Sequence, residues 1–253
     1  MSYGFLAPSY DVLTRDVDYV HVCDYLESWF SAARCPVKTV VDLACGTGSL
    51  TWLLAARGYE TIGVDLSEEM LAQARDKGGE DFGGIAPLFL CQSMDKLDLY
   101  GTMDVCVSSL DSVNYVTRPA ALGRAFGRVH TFLMPGGLFL FDVRTPSAFE
   151  AMDGQIFVDQ TEDAYCVWQG AFSHKTALCT YEMDIFRRRP DGSWDRGWEE
   201  HRERAYGLDE LTAMLTRAGF STIKTYAWGK RRGPKTGDDR VLFLARKKGT
   251  SHG

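Results

Sequence analysis

The chain has 253 residues, 45% of them hydrophobic, which is enough for one large domain with a substantial core. Its 28 lysines and arginines are outnumbered by 34 aspartates and glutamates, and a net charge of -6 argues against a protein whose main partner is a nucleic-acid backbone. The 7 cysteines show no metal-knuckle spacing, and no apolar run has the length of a signal or a membrane span, so we expect a reduced cytoplasmic protein without a metal.

The first 35 residues are predicted to form an aromatic arm followed by a helix. The arm, MSYGFLAPSYDVL, carries Tyr3, Phe5 and Tyr10. Along residues 18–30, apolar side chains recur at the 3.6-residue period of an amphipathic helix.

Strands and helices then alternate along residues 36–148. The predicted strands are 37–43, 60–65, 85–91, 103–109 and 138–143. The predicted helices between them are 47–57, 68–76 and 119–133. Short apolar strands joined by helices are typical of βαβ units and of a parallel sheet.

Residues 149–206 interrupt this alternation. They are rich in aromatic and alternating residues, and Pro190-Asp191-Gly192 has the composition of a hairpin turn. We therefore predict an inserted antiparallel sheet within a single α/β domain. The earlier pattern returns over residues 207–248 and completes the core. Its predicted helix and strands are 208–218, 221–226 and 240–245.

A turn of small residues joins the first predicted strand to the next helix. Cys45, Gly46 and Gly48 lie there between two acids, Asp42 and Asp65, which stand at the carboxyl ends of the first two strands. Ligands of open parallel sheets bind at this edge. An acid at the end of the second strand can accept hydrogen bonds from both hydroxyls of a ribose. We expect a nucleoside whose other part lies along the turn.

Two classes of cofactor fit this outline. A dinucleotide would favour the pattern G-x-G-x-x-G, but the run Gly46-Thr47-Gly48-Ser49-Leu50-Thr51 lacks the third glycine. Asp42 is also ill-suited to a pyrophosphate, whereas it suits a ligand that bears an ammonium and a sulfonium. A nicotinamide oxidoreductase and a non-catalytic nucleoside-binding module stay as alternatives.

The run VDLACGTG followed by GVDLSEEML resembles the first two motifs of the class I S-adenosylmethionine-dependent methyltransferases. FLMPGGLFLFDV is similar to the proline-glycine-glycine turn and fifth strand of that family. The resemblance covers residues 10–247. The runs YDVLTRDVDY, LDSVNY and EEHRERAY further resemble a bacterial subgroup thought to act on small molecules.

The resemblance implies a Rossmann-like fold for residues 1–253, as one methyltransferase domain. Its sheet would be seven-stranded and mostly parallel, with helices on both faces and an antiparallel last strand. The antiparallel sheet inserted after strand five would then be a substrate lid or an interface.

The resemblance also implies which residues bind S-adenosylmethionine and its product S-adenosylhomocysteine. Asp42 would orient the turn and reach the methionine ammonium, and Asp65 would bind the ribose hydroxyls. Ser93 stands where the family commonly has an acid that accepts from the adenine amine. The predicted cofactor-binding residues are Tyr10, Asp42, Ala44, Cys45, Gly46, Gly48, Asp65, Leu66, Met70, Gln92, Ser93, Met94, Leu110 and Asp111.

Methyl transfer from a sulfonium depends mainly on alignment and on the exclusion of water, and it needs a base only when the nucleophile is protonated. No catalytic triad is therefore expected. The candidate catalytic residues are Asp111, Tyr115, Arg144 and His201, with Tyr10 and Asn114 also predicted to face the acceptor. Arg144 could bind an acceptor carboxylate or form a surface ion pair.

The acceptor is expected to be a small molecule. The fourth strand ends in SSLDSVNY and lacks the Asn/Asp-Pro-Pro-aromatic run with which amine methylases grip a flipped base. An RNA or protein methyltransferase stays as the alternative, because the inserted segment is aromatic and aromatic faces can stack on bases. The same aromatic residues could form a dimer interface, so a homodimer is possible, and no membrane partner is expected.

Overall fold

The computed structural model describes residues 4–78 and 82–249, so Tyr3 of the arm lies outside the described residues. The strands are β1 (Thr39–Leu43), β2 (Glu60–Asp65), β3 (Leu88–Cys91), β4 (Met103–Ser108), β5 (Leu133–Arg144), β6 (Ile156–Gln160), β7 (Ala164–Ser173), β8 (Leu178–Arg188), β9 (Trp194–Arg204), β10 (Phe220–Ala227) and β11 (Arg240–Lys247). The α-helices are α1 (Tyr10–Leu13), α2 (Tyr19–Glu27), α3 (Ser49–Ala56), α4 (Glu68–Asp76), α5 (Pro119–Phe132), α6 (Pro146–Ala151) and α7 (Leu208–Ala218).

The main sheet has seven strands in the order β10-β11-β5-β4-β1-β2-β3. Strands β1 to β5 are parallel to one another, and β11 runs antiparallel to both β5 and β10. This confirms the predicted mostly parallel sheet with an antiparallel last strand. The chain crosses from one half of the sheet to the other after β3, which places β4 beside β1. The switch point between β1 and β4 is where open parallel sheets bind ligands.

Both faces of the main sheet are covered. In β1, Val40 and Val41 point to opposite faces and join two different hydrophobic clusters, yet each is fully buried. Burial on both faces explains why the parallel strands have nearly continuous apolar sequences instead of alternating ones.

The second sheet has four antiparallel strands in the order β6-β7-β8-β9. It follows β5 and α6, which confirms the predicted insertion. Strand β9 is two-sided: Glu199, His201 and Glu203 are buried on one face, whereas Trp194 and Trp198 are exposed. Successive side chains of a strand point to opposite faces, so the three buried residues form one row.

The main differences from the sequence prediction concern β3, β5 and α6. Strand β3 begins at Leu88 instead of residue 85. Strand β5 begins at Leu133 because the Pro135-Gly136-Gly137 turn forms an irregularity inside the strand, where the register with β4 shifts. Helix α6 was not predicted, although the Thr145 hydroxyl caps it by accepting a hydrogen bond from the Ala148 N–H.

The N-terminal arm connects the two sheets. The N–H groups of Phe5 and Leu6 donate to Oε1 of Glu199 on β9, at 2.8 and 3.0 Å. Further along the arm, the carboxylate of Asp11 accepts from the Thr47 hydroxyl at 2.6 Å and forms an ion pair with Lys77 at 2.6 Å. The arm is therefore held by the second sheet at one end and by the glycine turn and α4 at the other.

Within the described ranges, none of the helices has both the length and the hydropathy needed to cross a membrane.

Candidate active site

A cavity of about 680 Å³ lies at the carboxyl ends of the central strands, between the main sheet, the second sheet and the arm. This volume is typical of a site for small molecules. Most of the residues predicted from sequence line it: Tyr10, Ala44, Gly46, Asp65, Leu66, Met70, Gln92, Ser93, Met94, Leu110, Asp111, Tyr115, Arg144 and His201. Asp42, Cys45, Gly48 and Asn114 do not line it.

The two glycines of the turn after β1 have different surroundings. Gly46 lines the cavity with a φ of +55°, and a Cβ added there would have no heavy atom within 4 Å. Gly48 has a φ of +73°, and its Cβ would lie 2.9 Å from the Cβ of Ala74 and 3.0 Å from the ring of Phe89. The first glycine therefore leaves space for a ligand, whereas the second allows α3 to pack against its neighbours.

Cys45 is small for the same reason as Gly48. A Cβ added at Gly63 on β2 would lie 2.9 Å from the Cys45 Sγ, so the turn and β2 approach closely there. Burial raises the pKa of the Cys45 thiol well above its usual value, which disfavours the nucleophilic thiolate.

Asp65 is fixed by backbone donors on both sides. Its Oδ2 accepts from the Gly46 N–H at 2.8 Å, and its Oδ1 accepts from the Ser67 N–H at 2.9 Å. Burial raises its pKa, which these backbone hydrogen bonds oppose. Each carboxylate oxygen has further acceptor capacity, so the group can still bind hydroxyls in the cavity.

Asp42 lies beneath the turn. It is 2% exposed, and its Oδ2 accepts from the Thr51 hydroxyl at 2.6 Å. Burial raises the pKa of this carboxyl to about 7. Because it is separated from the cavity, its direct interactions are with the helix that follows the turn.

The region after β3 contains an acid that sequence reasoning missed. Asp95 lines the cavity, accepts from the Ser93 hydroxyl at 2.9 Å and pairs with Arg124 at 2.7 Å. Arg124 is the main cause of the lowered pKa of Asp95. Its position two residues after Ser93 was the available signal, since Ser93 replaces an acid common in the family. Gln92 lines the same region while its side chain bonds the backbone of Asp98.

The loop after β4 is held in an unusual backbone conformation. Leu110 and Asp111 have φ values of 56° and 52°, a region that residues other than glycine rarely adopt. Such strain persists only where the surroundings fix it, and it is common at functional sites. Here the Asp111 N–H donates to Asp142 at 3.0 Å, which helps to hold the loop.

A buried cluster of charges lies beside this loop. The Asp111 carboxylate faces Arg144 at 3.2 Å and Arg240 at 2.9 Å, and Arg240 also pairs with Asp142 at 2.5 Å. Arg144 and Arg240 are paired positions on adjacent strands. The structure thus pairs Arg144 with a buried acid, where the sequence suggested a surface ion pair or an acceptor carboxylate, and Arg144 also lines the cavity. Sequence reasoning missed Arg240. Its strand was predicted, but the pairing of that strand with β5, which places Arg240 beside Asp111 and Asp142, was not.

Glu203 on β9 borders the same cluster. It is 3% exposed and lines the cavity, although sequence reasoning did not select it. Burial and the charge of Asp111 raise its pKa well above the usual value for a glutamate. The signal available in the sequence was the spacing of Glu199, His201 and Glu203, which places all three on one face of a strand.

Two other predicted residues have mainly structural contacts. His201 is 1% exposed, its Nε2 lies 2.9 Å from Oε2 of Glu199, and its ring meets that of Tyr115 edge-on. Asn114 is fully buried; it donates to the Arg204 carbonyl at 2.8 Å and accepts from the Arg144 N–H at 3.1 Å. Asn114 therefore joins the second sheet to the main sheet.

Comparison with known proteins identifies the family. A family model described as a methyltransferase domain matches residues 40–137. A Bacillus subtilis protein named "Putative methyltransferase YqeM" is 32% identical over 253 residues, covering 99% of each chain. The chain belongs to the class I S-adenosylmethionine-dependent methyltransferases.

Solved structures agree with this assignment. An S-adenosylmethionine-dependent methyltransferase from Clostridium acetobutylicum is 28% identical, with a TM-score of 0.85 over 98% of this methyltransferase and 99% of that chain. The sugar N-methyltransferase KedS8 from Streptoalloteichus shares the fold at 22% identity, with a TM-score of 0.77 over 94% and 92% of the two chains. The cofactor of this methyltransferase is S-adenosylmethionine, as the resemblance implied.

Proposed function

We propose that this methyltransferase transfers the methyl group to a small-molecule acceptor bound in the cavity beneath the arm and the second sheet. The enclosure of the cavity carries the proposal. Leu6 and Tyr10 line it from the arm, Trp168 and Tyr181 line it from the second sheet, and the main sheet supplies the opposite wall. The arm and the second sheet restrict access for a folded RNA or protein, whereas a small molecule can enter the half-open cavity.

The residues around the turn fit S-adenosylmethionine. Gly46 leaves open space for the methionine part, and the acceptor oxygens of Asp65 suit the ribose hydroxyls. Leu66 and Met70 offer apolar surface to the adenine. Asp42 supports the turn from below through Thr51. When bound, this cofactor supplies a methyl group activated by a positively charged sulfur.

The chain's own contribution to the reaction is alignment and the exclusion of water. An in-line displacement gains most of its acceleration when the acceptor is held close to the methyl group in one orientation. The fixed loop at Leu110 and Asp111 and the aromatic cover provide such a rigid boundary. KedS8, which shares this fold, is named a sugar N-methyltransferase, and this supports a small acceptor for the present chain.

A donor-turnover assay tests the proposal. The purified protein is incubated with S-adenosylmethionine and a metabolite library, and the S-adenosylhomocysteine that forms is measured. We expect turnover with one class of small molecules. Turnover with RNA or protein substrates only, with salt-dependent binding of RNA, would contradict it. The possible homodimer stays a prediction, which sedimentation in the same buffer tests.

A further inference from the structure

We propose that Glu203 is the catalytic base of this methyltransferase and that the acceptor is an amine whose ammonium group binds at the Glu203 carboxyl. The inference rests on the proposed function and specifies the chemistry of the acceptor. Four observations support it: the position of Glu203 in the cavity, its burial, an unsatisfied oxygen and an excess of carboxyl groups around it.

The position of Glu203 follows from the register of the second sheet. On β9 it lies opposite Cys179 of β8, two residues beyond His201, which lies opposite Tyr181. Its side chain is 3% exposed and lines the cavity, as do those of His201 and Tyr181. The Oε2 atom of Glu203 is buried and has no hydrogen-bond partner among the described residues.

The charges nearby do not balance. Three carboxyl groups, those of Asp111, Asp142 and Glu203, share two guanidinium groups, those of Arg144 and Arg240. Asp111 contacts both guanidinium groups, and Asp142 contacts Arg240. In the part of the chain that the structure describes, no cationic nitrogen lies within the 4.0 Å of a salt bridge to Glu203. A buried carboxylate without a counter-ion is costly, so Glu203 favours the neutral form until a cation from a ligand binds beside it and stabilises the carboxylate.

The groups that face Glu203 come from four elements. They are Asp111 after β4, Arg144 on β5, Arg240 on β11, and Cys179 and Tyr181 on β8. Burial and Asp111 together favour the neutral form of Glu203, whereas the two arginines favour the charged form. Asp111 is a poorer candidate for the base because both of its carboxylate oxygens are already paired with guanidinium groups.

The proposed step balances in atoms and charge. The Glu203 carboxylate accepts one proton from the ammonium group, which frees the lone pair of the nitrogen. The nitrogen forms a bond to the methyl carbon while the bond between that carbon and sulfur breaks, and the electron pair of the broken bond stays on sulfur. The products are a methylated ammonium, a neutral thioether and protonated Glu203, which returns its proton to solvent. A carboxylate takes a proton more readily from an ammonium than from an alcohol, which favours an amine acceptor.

Direct titration of the carboxyl tests binding without activity. Protein labelled with carbon-13 at the glutamate side-chain carboxyls is saturated with S-adenosylhomocysteine and titrated by NMR, and Glu203→Gln identifies the resonance. Probes are a panel of primary amines with isosteric alcohols, such as cyclohexylamine and cyclohexanol. We expect at least one amine, and no alcohol, to lower the apparent pKa of Glu203 by about 1 or more, because a nearby cation favours the carboxylate. No effect of any amine, or equal effects of an alcohol, would overturn the proposal.

Kinetics with the acceptor found in the library assay test the catalytic role. We expect Glu203→Gln to lower kcat/KM at pH 7 by about 10²- to 10⁴-fold, with unchanged affinity for S-adenosylhomocysteine. The loss should shrink as the pH approaches the pKa of the amine, because the free amine is then already present. The matched control is Glu200→Gln, since Glu200 lies on the opposite face of β9 and pairs with Arg202 at 2.8 Å.

The outcomes separate this inference from the proposed function. A loss of activity in Glu203→Gln that is equal at every pH, or full activity in that variant, would overturn the role of base. Glu203→Asp keeps a carboxyl group, so it should retain part of the wild-type activity at pH 7. A hydroxyl or thiol acceptor would overturn the inference and leave the proposed function intact. Absence of any small acceptor would contradict the proposed function, whereas the titration with simple amines would still report on Glu203.

Discussion

Gly46 and Gly48 share a positive φ, but only one of them faces the cavity. Alanine at either position carries backbone strain of about 1 kcal/mol. Gly48→Ala would also crowd Ala74 and Phe89, so we expect its main effect on the melting temperature. Gly46→Val should instead lower the affinity for S-adenosylhomocysteine at least tenfold, with a smaller loss of melting temperature. Calorimetry and thermal unfolding measure the two effects, and normal binding by Gly46→Val would refute the position assigned to the cofactor.

Asp65 offers a second test at the scale of a single residue. A hydrogen bond to a charged acceptor contributes about 1.5 to 3 kcal/mol, so Asp65→Ala should weaken binding of S-adenosylhomocysteine by roughly tenfold or more for each ribose hydroxyl. Because the carboxylate also binds the N–H groups of Gly46 and Ser67, some loosening of the turn is expected too. Glu60→Ala, at the exposed amino end of the same strand, is the control. Equal affinity in both variants would rule out the ribose contact.

Asp42 makes stability depend on pH. Its pKa is about 7 in the folded protein because of burial, against a usual 3.8. Between those values the folded state holds a proton that the unfolded state has lost, so this stabilising contribution is present at low pH and is lost as the pH rises through 7. We therefore expect the melting temperature of Asp42→Asn, measured relative to that of the wild type, to increase from pH 5 to pH 8. A difference that stays constant or reverses over this range would show that Asp42 is already charged.

At the scale of elements, the arm and β9 act as one unit. Glu199 accepts from two N–H groups of the arm and also contacts His201, so one side chain contacts both the arm and a residue that lines the cavity. Leu6 packs with Cys166 and Ile185 of the second sheet, which adds apolar contact to these hydrogen bonds.

We therefore expect Glu199→Gln to loosen the arm. Loss of the charge weakens both hydrogen bonds from the arm, which raises amide exchange over residues 4–13 while the central strands remain protected. Glu200→Gln, one residue further and on the other face, should leave exchange unchanged. Hydrogen exchange followed by mass spectrometry measures this. Equal amide exchange over residues 4–13 in the two variants would contradict the role of Glu199 in holding the arm.

Element boundaries were predictable where local signals coincide with tertiary structure. Ser67 at the start of α4 has the composition of a cap, and in the structure it accepts from the Met70 N–H. Helix α6 carried an equivalent signal in Thr145 and Pro146 but lay between two regular regions and was missed. The early start of β5 depends on a positive φ at Gly136, a property of the tertiary register that periodicity does not reveal.

At the scale of the whole molecule, the sequence indicated the cofactor side better than the acceptor side. Turns after successive parallel strands meet at one edge, so strand ends pointed to Gly46 and Asp65, and the family resemblance added Ser93; all three line the cavity. The acceptor side combines Glu203 with Arg240, which come from two distant strands in different sheets. No local pattern brings such residues together, and the charge imbalance among them is visible only in three dimensions.

The measurement that tests the account most directly is a hydrogen-exchange map of the protein with and without S-adenosylhomocysteine. We expect protection to rise in the turn after β1, after β2 and β3, in the loop after β4, and in the arm over residues 4–13, because these segments surround the cavity. The outer ends of α5 and α7 should not change. Protection confined to other surfaces, or none at saturating S-adenosylhomocysteine, would contradict the claim that this cavity holds the cofactor and closes over the acceptor.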